Sequence, residues 1–113
     1  MFINESKVPQ SEDPMKFLKN RKAGAMKIAE SAKEKGGDAI LSYYHFAAKE
    51  KPYNDIMAML RNEGMEASKK LCKERYNALM KGVDIDMDQK EYQAVVGKIE
   101  VYGECYIKFI DLD

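Results

Sequence analysis

The sequence predicts an all-α domain, a compact bundle of four to five helices with a short N-terminal arm at residues 1–12. Two observations carry that reading. Apolar residues recur three and four positions apart through most of the chain, the period of a helix with one buried face. Helix-starting and helix-stopping residues punctuate those stretches in order: Asp13-Pro14, Gly36-Gly37-Asp38, Lys51-Pro52, Gly64, Gly82 and Asp88.

The arm has no periodicity; Phe2 and Ile3 could dock it or pair as a short strand. Asp13 as N-cap with Pro14 at the first helical position starts helix one, which runs to Lys35 and stops at Gly36-Gly37. Its apolar side is light (Phe17, Leu18, Ala25, Ile28, Ala29, Ala32), and Ala23, Gly24 and Ala25 would let another helix approach closely. Asp38 is placed to cap helix two, which runs through Glu50 and is ended by Lys51-Pro52. Residues 39–48 are apolar almost all round, the pattern of a central helix. Asn54 then caps a short third helix ending at Gly64. A fourth spans Met65–Lys81, with Leu71, Cys72, Tyr76, Leu79 and Met80 inward and Gly82 as its terminator.

Residues 92–110 fit two structures. Tyr92, Val95, Ile99, Tyr102, Tyr106 and Phe109 form a helical stripe, whereas Ile99, Val101, Cys105, Ile107 and Phe109 alternate with charged residues as a strand would. Asp88 with Glu91 resembles a capping box and favours helix at the start. Past Gly97 the segment 97–110 could be β instead, because Gly97 and Gly103 each cost about 1 kcal/mol inside a helix. Helix is the expected outcome, since no upstream segment offers a long strand to pair with.

A chain of 113 residues forms one domain, 13–113 behind the arm, and buries roughly 65% of its unfolded surface. That leaves little room for both the 92–110 stripe and an apolar second helix, and the tension points to a partner. Nineteen basic and nineteen acidic residues cancel, which argues against a dedicated nucleic-acid or membrane binder. The charge is segregated, however: residues 14–37 hold seven Lys/Arg against two Glu, and 83–113 hold eight Asp/Glu against three Lys. No apolar run is long enough to span a membrane, and the N-terminus lacks a signal-peptide pattern. Cys72 and Cys105 suit reduced thiols in a cytoplasmic setting.

Motifs for chemistry are absent or incomplete. Asp84-Ile85-Asp86-Met87-Asp88 begins like a calcium loop, but its sixth and twelfth positions are Gln89 and Val95, where Gly and Glu are needed. His45 is the only histidine and has no ligand or relay partner in sequence. Gly36-Gly37-Asp38 follows no strand and lacks a phosphate-loop pattern. No catalytic residue, metal site, cofactor or small-molecule substrate is expected.

The function read from these features is that of a small non-enzymatic intracellular protein working through protein–protein contacts: an adaptor, assembly component or regulator, self-associating in one version. Its interface would be Tyr92, Val95, Ile99, Tyr102, Tyr106 and Phe109. The alternative is a nucleic-acid-binding accessory protein using Lys16, Lys19, Arg21, Lys22, Lys27 and Lys33 on the basic first helix.

Overall fold

The computed structural model describes residues 13–112, and its regular elements are all helical. Helix α1 (Pro14–Lys35) opens as the sequence requires, with the Met15 N–H donating to Asp13 Oδ1 at 3.2 Å and Pro14 at the first position. Gly36, at φ 64°, ends it in a left-handed conformation costly for any other residue. Leu18, Ala25, Ala29 and Ala32 are its buried residues. The close-packed side is thus made of alanines, while Ala23 and Gly24 are exposed.

The next segment differs from expectation. Asp38 caps nothing; it lies in a 3₁₀ turn, Gly37–Ala39, and α2 starts only at Ile40 and ends at Ala47. Pro52 does not end α2. It sits in the first turn of α3 (Glu50–Glu63), where its missing N–H costs least, so Asn54 is interior and not a cap. The two helices meet at a bend, where the Ala48 N–H donates to the Tyr44 carbonyl at 3.3 Å and Lys49 to Phe46 at 3.1 Å.

Gly64, at φ 96°, separates α3 from α4 (Met65–Gly82). Buried Ser68 in α4 donates its hydroxyl back to the Gly64 carbonyl at 2.8 Å, satisfying itself locally. Gly82 is the last residue of α4 with no left-handed turn, and Met80, expected inward, is half exposed. Helix α5 (Gln89–Leu112) is continuous through both glycines, so residues 97–110 are helix. Asp88 caps it: the Lys90 and Glu91 N–H groups donate to Asp88 Oδ2 at 3.1 and 3.4 Å.

The glycines of α5 are points of close approach, which is why the helix tolerates them. A Cβ on Gly97 would collide with the His45 carbonyl oxygen of α2. A Cβ on Gly103 would lie 3.0 Å from the Tyr76 ring of α4. Helix α5 therefore packs mainly on α4 and α2, and α1 packs on α2 and α3. The core is built from Leu18, Tyr53, Ile56, Cys72, Val101, Tyr102, Cys105 and Phe109. Helix α2 is not central: none of its residues is fully buried.

Candidate functional site

Helices α1 and α5 flank the α2–α3 bend, and a trough of about 620 Å³ lies between them. Its apolar lining is Ala25 and Ile28 of α1, Phe46 and Tyr53 from the bend, Ile99 of α5 and Tyr76 of α4. Gly24 and Gly103 keep it open by lacking side chains.

Charges bridge the trough in two places. Arg21 of α1 grips Glu104 of α5 through both Nε and Nη2, and its side chain also reaches the Tyr53 hydroxyl. On the other side, Glu100 Oε1 meets His45 Nε2 and Lys49 Nζ, each at 2.9 Å. Partial burial alone would raise the Glu100 carboxyl, but hydrogen bonds and charge from Lys49 and His45 outweigh it and hold the group below its usual range. Burial pushes the Tyr53 hydroxyl up to about 12, against the lowering pull of Arg21. These partners were missed in sequence. The available signal was Glu100 and Glu104 four residues apart on one helix, a repulsive pair unless cations from elsewhere neutralise it.

His45 is a tether. With Nε2 facing a carboxylate, the network assigns the proton to Nε2, and Nδ1 is buried with no hydrogen-bond partner among the described residues. Through Nε2 and Glu100 the ring joins α2 to α5.

The apolar surface of α2 is roofed by lysines. Lys33 of α1 sits 5.8 Å from the Tyr43 ring centroid, Lys90 of α5 5.4 Å from Tyr44, and Lys49 4.9 Å from Phe46. Tyr43 and Tyr44 pack edge to face at 5.3 Å. The six basic residues singled out on α1 are not gathered. Arg21 is paired with Glu104, Lys33 lies over Tyr43, Lys22 is half-buried, and Lys16, Lys19 and Lys27 are exposed.

The expected interface stripe is divided. Phe109 and Tyr102 belong to the monomer's own core, and the Tyr102 hydroxyl accepts from Arg75 Nη1 at 3.0 Å. Val95, Ile99 and Tyr106 are half-buried, and Tyr92 is exposed. The solvent-facing apolar residues at the far end of α5 are instead Ile107, 63% exposed, and Ile110, 47% exposed.

Among the described residues no group of His, Cys, Asp and Glu could hold a metal ion. The acidic loop closes on itself: the Asp86 N–H donates to Asp84 Oδ1 at 2.9 Å and Met87 to the Asp84 carbonyl at 3.0 Å. Ile85 stands at the corner of this turn, 93% exposed. Both cysteines are free and fully buried, and burial raises both thiols, Cys72 to about 12. No helix among the described residues is long and apolar enough to cross a membrane. Comparison with known proteins adds no relative: no family model, curated protein or solved structure matches this chain.

Proposed function

We propose that the protein is non-enzymatic and works through contacts with other proteins, using the outer surface of α5. The observation that carries this is the pair Ile107 and Ile110, three residues apart on one helical face and both exposed, beside the buried Cys105 and Phe109 of the same helix. Half-buried Tyr106 adjoins them, beside a hollow of about 330 Å³ that is lined by Tyr76, Gly103, Tyr106 and Ile107. Aromatic and aliphatic side chains around a small depression are what a partner's anchor residue fits.

The test is site-specific photo-crosslinking in the expressing cell. A photoreactive residue at Ile107 should yield covalent adducts with protein, lost when Ile110→Glu is added and absent when the probe stands at Glu66. Equal yield at both positions, or none at Ile107, would reject the reading.

A second reading, binding of single-stranded nucleic acid, is favoured by one observation: the fold brings Lys33 and Lys90 onto Tyr43 and Tyr44, interleaving cations with stackable rings. It predicts RNA or DNA binding that falls steeply with salt and is lost in Tyr43→Ala/Tyr44→Ala. No retention at about 50 mM salt removes it.

A further inference from the structure

Ile85 lies outside the core of the described residues. It sits on a tight turn between Asp84 and Asp86, and its side chain touches almost nothing. An isoleucine held out at 93% exposure between two carboxylates is a knob with charged flanks. Elsewhere in the same molecule lies a matching hollow. It is about 320 Å³, between α1 and the start of α2, with Ala32, Ala39, Ser31 and Ser42 on its surface and Ile28 at its edge. Lys27 and Lys35, eight residues apart along α1, stand on either side. At 1.5 Å per residue their backbones are about 12 Å apart, within reach of carboxylates flanking a central side chain.

Neither lysine has an ion-pair partner among the described residues. Asp38 lies near Lys35 in sequence but forms no ion pair with it. The chain is neutral as a whole, yet its basic and acidic excesses fall on the segments that carry hollow and knob. Charge complementarity therefore identifies the occupant as the acidic turn of another copy of this chain.

We propose that Ile85 of one copy seats in the α1–α2 hollow of a second, with Asp84 and Asp86 against Lys27 and Lys35. Knob and hollow lie toward the same end of the molecule, because Lys90 of α5 reaches Tyr44 and Lys33 of α1 reaches Tyr43. Two copies can then exchange turns about a two-fold axis and close as a dimer. The contact is small, so the dissociation constant falls in the range of about 10 μM to 1 mM. The proposal rests on the reading that this protein works through protein contacts, but it uses a surface other than the α5 face.

Sedimentation of the full-length chain from about 10 μM to 1 mM tests it. The mass should rise toward twice the monomer's, and several-fold weaker association should follow a change from low salt to about 0.3 M. Ile85→Asp and, separately, Lys27→Glu/Lys35→Glu should both stay monomeric. All three positions are exposed, so far-UV circular dichroism should be unchanged. Lys16→Glu/Lys19→Glu, on the same helix but away from the hollow, should associate like wild type. An equimolar mixture of the two variants should associate more weakly than wild type, because a mixed pair keeps one of the two contacts and sets carboxylates against carboxylates at the other.

A wild type that remains monomeric throughout, a mixture that associates as well as wild type, or a control variant that loses association equally would overturn the proposal. Association that survives Ile85→Asp but is lost with Ile107→Glu would also overturn it while leaving the α5 reading standing. The crosslinking result at Ile107 judges that reading separately.

Discussion

Helices α5 and α2 carry the most apolar sequence in the described chain, and the fold treats them in opposite ways. Helix α5 is covered on two sides, by α4 and by α2, and fully buries Val101, Tyr102, Cys105 and Phe109. Helix α2 is richer in apolar residues for its length, yet buries none completely. It has α1 and α5 beside it, and the lysines Lys33, Lys49 and Lys90 over its rings. Burial thus follows from how many neighbours a helix has, and a short helix at the edge of a small bundle cannot be surrounded. Lysine side chains supply part of the missing cover, with the ammonium groups of Lys33, Lys49 and Lys90 over the rings of Tyr43, Phe46 and Tyr44.

The largest expected effect separates these two helices directly. Phe109→Ala empties a fully buried site in α5 and should cost about 3–5 kcal/mol. Phe46→Ala in α2 removes a ring that is only half-buried, and should cost less than half as much. Denaturant unfolding of both variants checks the ranking, and equal losses would mean that α2 is as well enclosed as α5.

Where the two helices meet, Gly97 provides the next test. Helix propensity alone says that Gly97→Ala stabilises by up to about 1 kcal/mol. The added methyl would strike the His45 carbonyl, which is backbone and cannot rotate away, so the expected result is a net loss of about 1–3 kcal/mol. Gly103→Ala should be close to neutral, because its neighbour is the edge of the half-buried Tyr76 ring at 3.0 Å, which can shift. A thermal midpoint lower for Gly97→Ala than for Gly103→Ala by several degrees confirms the contrast. A gain at Gly97 would show a looser crossing.

These glycines also mark what could be read in the sequence. The all-α class, the Asp13-Pro14 start, the stops at Gly36 and Gly64 and the Asp88 cap were legible because each is a local backbone requirement. Gly97 and Gly103 were misleading for the same reason: locally they weaken a helix, and only the arrival of His45 and Tyr76 from distant segments gives them a use. Pro52 misled likewise, since a proline is compatible with a first turn as well as with an end. In the candidate site, Tyr102 and Phe109 fitted the stripe but face the core, and the exposed pair Ile107 and Ile110 lay one step around the helix. Periodicity identifies an apolar face; it does not say which neighbour covers it. The Glu100–His45–Lys49 and Arg21–Glu104 clusters join residues more than fifty positions apart, beyond what spacing can reveal.

A smaller effect measures the lysine roof on α2. Lys90 and Tyr44 should couple by about 0.5–1 kcal/mol in a double-mutant cycle with Lys90→Met and Tyr44→Leu. Zero coupling would make that lysine a bystander, and the half-exposure of α2 would be uncompensated there.

The smallest effect probes the tether between the same two helices through pH. The Glu100 carboxyl is held below its usual value by Lys49 and His45 in spite of partial burial, so the folded state favours the charged form more than the unfolded chain does. A group with a depressed folded value adds stability above its unfolded value and loses it as the pH falls through the folded one. The contribution of Glu100 should therefore be constant from neutral pH down to about 4.5, the unperturbed carboxyl value, and disappear below it. Its size is under about 1 kcal/mol, because half of the side chain is exposed and water screens the pair. Glu100→Gln should be slightly less stable than wild type at pH 7, and the two unfolding curves should converge as the pH drops below 4.5. Curves that stay apart in acid would place the worth of this residue in packing across the α2–α5 seam, and the charge would then be incidental to holding α2 in place.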